Sequence, residues 1–274
     1  MRFATLFLAA TLCAQPTASS LYQQAIQAAS VADAIRLLRL SIAAEPTFEA
    51  RYRLGVALNQ EKRYDDAMAE LREAFALTRP DQLADRAHVL FRRAEAAEGL
   101  GHLLDAKRLV EMSIGYEDHP RVQAKLVDLQ NRLASEVIPT DEIREAAEQV
   151  AKDFDIQRKP SVDVWVNFTL GSAEMTPQGR AQAEALAPAL LTPFLQKYRF
   201  VVVGHTDTTG TNAINDPLSE RRARTVLGFL QSKGMPVKRA TAEGRGSREP
   251  LRQGTAAADH AVNRRVQVML VRYE

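Results

Sequence analysis

The N-terminal half of the chain repeats one pattern of residues three times. Each copy starts with an Asp-Ala pair, at Asp33, Asp66 and Asp105, and carries small or apolar residues four and seven positions after that alanine. Residues at these offsets lie on one face of an α-helix. A proline closes each copy, where it can follow a helix but not continue one. A chain that repeats one helical unit in this way is predicted to stack its helices into a solenoid.

A second helical segment precedes the last two copies and carries a small residue twelve positions before the alanine of the pair. A small residue there lets two antiparallel helices approach closely. In the second copy the relevant positions are Gly55, Tyr64, Ala67, Leu71 and Ala74, and this pattern resembles the tetratricopeptide repeat. The resemblance implies that residues 20–135 form helical hairpins with a groove for a protein partner. The alternative is a helical spacer that binds nothing.

Residues 1–19 have the pattern of a secretory signal peptide, with a basic Arg2, an apolar run that ends at Leu12 and small residues around Ala14. The apolar run is much shorter than the roughly 20 residues that span a bilayer, so the pattern favours a signal peptide over a retained anchor helix. We expect cleavage near Ala14, which would remove Cys13, the only cysteine. Lipidation of Cys13 is the alternative, although Leu12 stands where lipoprotein signals have Gly, Ala or Ser.

The composition is that of a soluble globular protein, with 46% hydrophobic and 26% charged residues and a formal net charge of +2. The basic excess lies in the C-terminal part. Nucleic-acid binding is disfavoured because no aromatic stacking platform accompanies the arginines and because a signal peptide implies export. The five histidines include no pair at metal-ligand spacing. We therefore expect neither a metal nor a cofactor.

The pattern changes after residue 135. Residues 136–160 contain a linker and one predicted helix with Thr140 as its N-cap. Residues 161–274 then give strand and helix signals in the order β-α-β-α-β-β, which predicts helices packed on a mixed sheet. The predicted fold class of the whole chain is α+β.

Two local expectations concern where these elements begin and which way they face. Alternation over residues 161–168 predicts one long strand with Val164 on its apolar face and Trp165 on the opposite, solvent-facing side. The pair Asp216 and Pro217 predicts a helix that begins with an aspartate cap and a proline in its first position.

The C-terminal region also contains a dense series of motifs. They are Gly-His-Thr-Asp at residues 204–207, Asn-x-x-Leu-Ser-x-x-Arg-Ala at 215–223, Gly-x-Gly at 244–246 and Asn-Arg-Arg-Val at 263–266. By these motifs the region from about residue 161 to 273 resembles the OmpA-like peptidoglycan-binding domain. The resemblance implies a non-catalytic domain that binds the diaminopimelate side chain of uncrosslinked peptidoglycan stems.

An acid and an arginine are the two anchors of the predicted site. Asp207 ends a predicted strand and Arg222 lies on the following helix, so a fold that brings them together would offer an acceptor for an ammonium group and a bidentate donor for a carboxylate. The resemblance places Thr209, Asn215, Leu218 and Arg264 nearby. Two alternatives are that Asp207 and Arg222 only pair with each other, and that Arg264 is a solvated surface charge.

The sequence as a whole predicts a non-catalytic cell-envelope protein of the periplasm, associated with the outer membrane and the wall of a Gram-negative-type bacterium. Peptidoglycan would be bound by the C-terminal domain and an envelope protein by the repeats. One alternative is an envelope scaffold that acts through the repeats with no wall ligand. Another is an enzyme that uses His205, Asp207 and Ser219 as a catalytic set, which the absence of a nucleophile motif disfavours.

Overall fold

The computed structural model describes residues 16–152 and 160–272, and they form two compact units, one up to Ala96 and one from Ala97 onward. Most of the predicted signal peptide, including Cys13, lies outside the described residues. The division falls inside a helix and groups the third repeat with the C-terminal region. No helix within the described ranges is both long and apolar enough to cross a membrane.

The first unit consists of helices only. Their inward faces carry the small and apolar residues of the repeats, and Leu54, Leu58 and Ala67 are almost fully buried. A Cβ atom on Gly55 would lie 2.4 Å from Cγ of Leu71, so the glycine allows the close helix contact that the spacing predicted. The helices are α1 (Ala18–Ile26), α2 (Val31–Ala44), α3 (Phe48–Gln60), α4 (Tyr64–Ala76) and α5 (Leu83–Gly99).

Side-chain caps explain where two of these helices begin. The hydroxyl of Ser30 accepts a hydrogen bond of 3.0 Å from the amide of Asp33, and the hydroxyl of Thr47 accepts one of 3.2 Å from the amide of Ala50. Each bond satisfies one backbone donor that the first turn of a helix leaves unpaired. The helical character of this half is confirmed, whereas its likeness to tetratricopeptide repeats remains a resemblance.

The second unit combines six helices with a four-stranded mixed sheet in the described residues. The strand order is β1-β4-β2-β3, in which β2 and β3 are parallel and the other neighbours are antiparallel. Its elements are α6 (Leu103–Tyr116), α7 (Pro120–Ser135), α8 (Thr140–Lys152), β1 (Ser161–Val164), α9 (Pro177–Leu190), β2 (Tyr198–Gly204), α10 (Asn212–Ser232), β3 (Ala240–Gly244), α11 (Ala257–Asn263) and β4 (Val266–Arg272), with short 3-10 turns before β2 and β3.

The mixed sheet and the order of its main elements along the chain agree with the prediction, but three details differ. The short helix α11 lies between the last two strands. Strand β1 ends at Val164, so the predicted long strand was wrong. Trp165 is 1% exposed because its indole N–H donates a 2.9 Å hydrogen bond to the carbonyl of Val262, which draws the ring inward.

Helix α10 begins five residues earlier than predicted. The carbonyl of Thr211 accepts hydrogen bonds from the amides of Ile214 and Asn215, so the first turn precedes Pro217. The carboxylate of Asp216 does not cap the helix; it forms a salt bridge of 2.7 Å with Arg248. The helix therefore carries its proline in the second turn, at the loss of one backbone hydrogen bond.

Helix α8 belongs to the second unit, where it packs against α9, β1 and α6. The segment before it is tied to α9, since the side chain of Gln182 bonds both the amide and the carbonyl of Ile138 at 2.7 and 3.2 Å. Thr140 is the first helical residue rather than the cap, and its hydroxyl donates to the carbonyl of Ala185 at 3.0 Å.

A buried charge cluster joins α6 to the sheet. The carboxylate of Asp163, on β1, lies 3.3 Å from the ammonium group of Lys107 and 3.1 Å from the guanidinium group of Arg265. Burial would raise the pKa of Asp163 and lower that of Lys107, but attraction within the cluster prevails and shifts both pKa values in the opposite directions. The third repeat is thus fastened to the domain that follows it.

Candidate functional site

The candidate site lies at the end of the sheet where strands β2 and β3 stop and strand β4 begins. Beyond Gly204 the chain keeps its pairing for two more residues, because the amide of His205 donates to the carbonyl of Arg265 at 3.0 Å and the amide of Thr206 to that of Gly246 at 2.9 Å. These bonds fix the direction of the chain at the next residue, Asp207.

Two glycines let helix α10 lie directly on this end of the sheet. A Cβ atom on Gly204 would be 2.2 Å from the carbonyl oxygen of Ser219, and one on Gly244 would be 2.4 Å from the amide nitrogen of Glu220. No side chain fits in either place. Glycine is therefore required at these two positions because the backbones approach closely, and not because the chain turns there. This close approach brings the third turn of α10, with Arg222, over the end of β2.

Asp207 is held by hydrogen bonds from Arg264 and Thr209 in the described structure. Its Oδ2 accepts from Nη1 of Arg264 at 2.7 Å, and its Oδ1 accepts from the amide of Thr209 at 3.0 Å. Burial alone would raise the pKa of this carboxyl group, but the bonds from Arg264 and Thr209 outweigh it and hold the pKa below its usual range. Asp207 is therefore an oriented carboxylate at neutral pH.

The loop after Asp207 is closed by the first turns of α10. The side-chain amide of Asn215 donates to the carbonyl of Thr209 at 3.0 Å, and Asn215 and Leu218 are buried at 3% and 8% exposure. Thr209 itself is exposed. Asn215 thus shapes the loop, while Thr209 presents its side chain to solvent beside Asp207.

Arg222 is buried at 3% exposure without an acidic partner. Its Nε donates to the carbonyl of Ser172 at 3.0 Å, and its guanidinium carbon lies 5.1 Å from the centre of the Phe168 ring. Within the described ranges no carboxylate oxygen lies within 4.0 Å of its nitrogens. Burial and then the repulsion of Arg264 lower its pKa to about 10, so it still carries its charge at neutral pH.

The three charged groups leave a net positive charge at the site. Arg264 and Asp207 neutralise each other, while Arg222 is a buried cation whose two terminal nitrogens donate to none of the described residues. A buried charge without a counter-ion is costly, and an anion that binds there would relieve that cost. The arrangement therefore suits a ligand that brings a carboxylate to Arg222 and a donor group to Asp207.

The structure contradicts the alternative in which Asp207 and Arg222 only pair with each other, since Asp207 pairs with Arg264. It brings Arg264 to the site through α11, whose last residue precedes it. Sequence reasoning missed Phe168 and Ser172, which hold the guanidinium group of Arg222. The aromatic residue before a polar Gly-Ser turn was the only available signal, because their contact with Arg222 spans about fifty residues of sequence.

His205, Asp207 and Ser219 do not form a catalytic set. Both ring nitrogens of His205 are buried without a hydrogen-bond partner, and the hydroxyl of Ser219 accepts from the amide of Gly246 at 2.9 Å. Burial, followed by repulsion from Arg265, lowers the pKa of His205 to about 4, which leaves the imidazole neutral. Across residues 16–152 and 160–272 no three His, Cys, Asp or Glu side chains cluster as a metal site requires.

Comparison with known proteins identifies the domain that carries this site. Residues 167–264 match the model of the OmpA family. This OmpA-like domain begins next to Phe168 and ends at Arg264, so it includes all six residues that the sequence assigned to the site.

Individual relatives match part of this chain. Outer membrane protein A of Bordetella avium is 36% identical over 38% of this chain and 53% of its own length. The protein of that name from Escherichia coli O157:H7 is 37% identical over 33% of this chain and 26% of its own. The solved cell wall anchor of the T6SS from Pseudomonas aeruginosa is 27% identical and covers 47% of this chain and 97% of that one, with a TM-score of 0.36. The chain thus spans about half or less of the curated relatives' length.

Proposed function

We propose that this chain is a non-catalytic envelope protein that binds peptidoglycan through its OmpA-like domain, with Asp207 and Arg222 as anchors for the diaminopimelate side chain of a stem peptide. The observation that supports this most is Arg222, a residue with 3% exposure whose guanidinium group lacks an anionic partner among the described residues. A site with this charge is incomplete until a carboxylate occupies it.

The free end of diaminopimelate carries an ammonium and a carboxylate on one carbon atom. Arg222 offers two unused terminal nitrogens, which match the geometry of a carboxylate. Asp207 accepts hydrogen bonds from Arg264 and Thr209, and a carboxylate has about four acceptor positions, so Asp207 keeps capacity to accept from an ammonium group. Arg264 orients the acid and balances its charge before the ligand binds.

The same geometry gives a reason for discrimination between wall types. A lysine-type stem ends in an ammonium group and lacks the second carboxylate, so Arg222 would remain buried without a counter-ion. Leaving a buried polar group unpaired costs about 1–3 kcal/mol, and more when the group is charged. We propose that Arg222 selects diaminopimelate walls for this reason.

The place of action follows from the same domain. The curated relatives are named outer membrane proteins, and we propose that this chain likewise acts in the periplasm beside the outer membrane, after removal of its signal peptide. The competing proposal is an envelope scaffold whose OmpA-like domain has no wall ligand.

Sedimentation with purified sacculi tests the wall ligand. We expect wild-type protein to sediment with diaminopimelate sacculi and poorly with lysine-type sacculi. Asp207→Ala and Arg222→Met should each lose at least about thirtyfold in affinity, since truncation of one desolvated charge costs about 2–5 kcal/mol. Arg221→Ala is the matched control, because Arg221 is the exposed neighbour on the same helix. Equal binding by all four proteins would refute the site, and equal binding to both walls would refute the ligand.

For the repeats, we propose that a protein partner occupies a groove of about 580 Å³ in the first unit, lined by Tyr22, Phe48, Tyr52 and Arg53 among others. Aromatic residues beside an arginine are the usual anchors of protein interfaces. Crosslinking in envelope extracts should capture a protein that Tyr52→Ala loses and Leu77→Ala, an exposed residue outside the groove, retains. Capture of the same protein by both variants would refute this groove, and capture of no protein by the wild type would favour a spacer.

A further inference from the structure

The end of the sheet opposite the candidate site presents lysines and apolar side chains together. Strand β2 runs from Tyr198 to Gly204, and the candidate site follows Gly204. At its other end lie the 3-10 turn at 193–197, which leads into β2, and the one at 237–239, which leads into β3. The pairing of Phe200 with Ala240 places both turns at one edge.

Six exposed residues define this surface, which we call the basic end: Lys152, Phe194, Lys197, Lys233, Val237 and Lys238. Val237 is 74% exposed and Phe194 36% exposed. The ammonium groups of Lys197 and Lys152 lie 4.9 and 5.8 Å from the centre of the Phe194 ring, so the end of α8 and the first turn share one patch.

The charge of the two segments that form most of this patch is one-sided. Residues 191–199 and 231–239 contain lysines and arginines but no Asp or Glu. The chain as a whole is nearly balanced, with 36 basic and 34 acidic residues. The potential at the basic end is therefore a local property of the fold and not a consequence of net charge.

We propose that the basic end binds the surface of an anionic phospholipid bilayer. Lysine ammonium groups would contact lipid phosphates, while Val237 and Phe194 would enter the boundary between headgroups and acyl chains, as amphipathic membrane-binding surfaces do. Each lysine near an anionic membrane surface is worth about 1 kcal/mol, which corresponds to about fivefold in affinity. Exposed apolar side chains interspersed with lysines are typical of surfaces that enter the headgroup region of a bilayer, so we assign a lipid surface and not an acidic protein to the basic end.

This surface and the candidate site are separated by the length of β2. Seven strand residues span about 20 Å, so a bilayer at one end would leave Asp207 and Arg222 accessible at the other. The OmpA-like domain, with the end of α8, could then hold a membrane surface and a wall ligand at the same time, without a lipid anchor on the chain.

Co-sedimentation with vesicles tests this proposal on the full-length exported protein. The vesicles are phosphatidylglycerol mixed with phosphatidylcholine, compared with phosphatidylcholine alone, and neither contains peptidoglycan. We expect binding to the anionic vesicles only. Lys197→Gln with Lys238→Gln should weaken it about twentyfold or more, and Val237→Ser should weaken it without changing the charge. The control, Arg221→Gln with Arg224→Gln, removes the same charge from the exposed face of α10 and should change affinity by less than threefold.

The proposal would be overturned by no binding to anionic vesicles, by equal binding to neutral vesicles, or by an equal loss in the control. Loss of a captured envelope protein by the lysine variant, with vesicle binding unchanged, would assign the basic end to a protein partner and would also overturn it. Sacculus binding should be the same in the lysine variant and the wild type. The membrane proposal and the wall-binding proposal can therefore be refuted independently.

Discussion

Nη1 of Arg264 lies 2.7 Å from Oδ2 of Asp207, and this salt bridge, not one to Arg222, satisfies the acid in the described structure. Arg222 is left as a buried cation over the ring of Phe168. The site therefore contains one neutralised pair and one charge that is available to a ligand.

The first prediction concerns the pH range of wall binding. The Arg264 salt bridge lowers the pKa of Asp207, so the carboxylate should persist, and binding with it, in mildly acidic buffer. In Arg264→Gln the pKa of Asp207 should rise, and sacculus binding should be lost at a higher pH than in the wild type. Arg248→Gln, which breaks the exposed salt bridge to Asp216, should leave the pH profile unchanged. Coincident profiles for all three proteins would contradict the role of Arg264.

A second prediction concerns acid stability. Burial, followed by repulsion from Arg265, lowers the pKa of His205 to about 4, whereas unfolded histidine titrates near about 6.5. The unfolded state then binds more protons between these values, so stability is complete above about pH 6.5 and falls as the pH approaches 4. Asp163 and Glu249 raise the pKa of His205 only in part, and Arg245 lowers it further.

The measurement is urea unfolding of wild type and His205→Phe at pH 7 and at pH 4. The wild type should lose up to about 3 kcal/mol more than the variant over this interval. Equal losses would show that His205 does not titrate as its burial requires.

A third prediction concerns the buried charge cluster. Asp163→Asn removes the carboxylate between Lys107 and Arg265 and leaves Lys107 paired only with Glu111, and removing one member of a buried ion pair costs about 3–5 kcal/mol. Lys107→Met should lower the free energy of unfolding by less, because Asp163 keeps its salt bridge to Arg265. Denaturant unfolding of the fragment from residue 97 should likewise show higher stability than the fragment from residue 161, which lacks Lys107. Equal midpoints for the two fragments would contradict the attachment of α6 to the sheet.

A fourth prediction concerns the packing of α10 on the sheet. Gly204→Ala would place a methyl group 2.2 Å from the carbonyl oxygen of Ser219, so the helix must shift, at about 1–3 kcal/mol, and Arg222 shifts with it. Gly228→Ala is the control, since a Cβ there meets nothing within 4 Å and should raise stability by about 0.5–1 kcal/mol. Thermal unfolding distinguishes the two, and a neutral Gly204→Ala would refute the close approach.

Local signals predicted local features well. Thr176 followed by Pro177 has the pattern of a helix cap and predicts the start of α9, and the continuous apolar run at 200–203 predicts a buried strand at β2. Both signals depend only on neighbours in sequence. The start of α10 was misplaced because Asp216 prefers a distant partner, Arg248, to its own helix. The orientation of Trp165 was missed for the same reason, since its hydrogen-bond acceptor is Val262.

The candidate site was likewise predictable where it depends on local motifs and not where it depends on contacts between distant residues. Motif spacing brought Asp207, Arg222 and Arg264 to attention, but residue types alone could not decide which arginine pairs with the acid. That choice depends on α11, a short helix without a strong sequence signal, which ends immediately before Arg264. The aromatic and carbonyl support of Arg222 comes from the loop before α9, which no spacing rule connects to α10.

The most direct test of the proposed ligand is calorimetric titration of the wild-type protein with two soluble stem peptides that differ only in diaminopimelate or lysine at the third position. Wild type should bind the diaminopimelate peptide at least about tenfold more tightly, since an unpaired buried charge costs more than about 1.4 kcal/mol. Arg222→Lys, which keeps the charge but loses the bidentate geometry, should reduce that preference. Equal affinity of the wild type for both peptides, or a preference that Arg222→Lys leaves intact, would contradict the assignment of Arg222 as the carboxylate anchor.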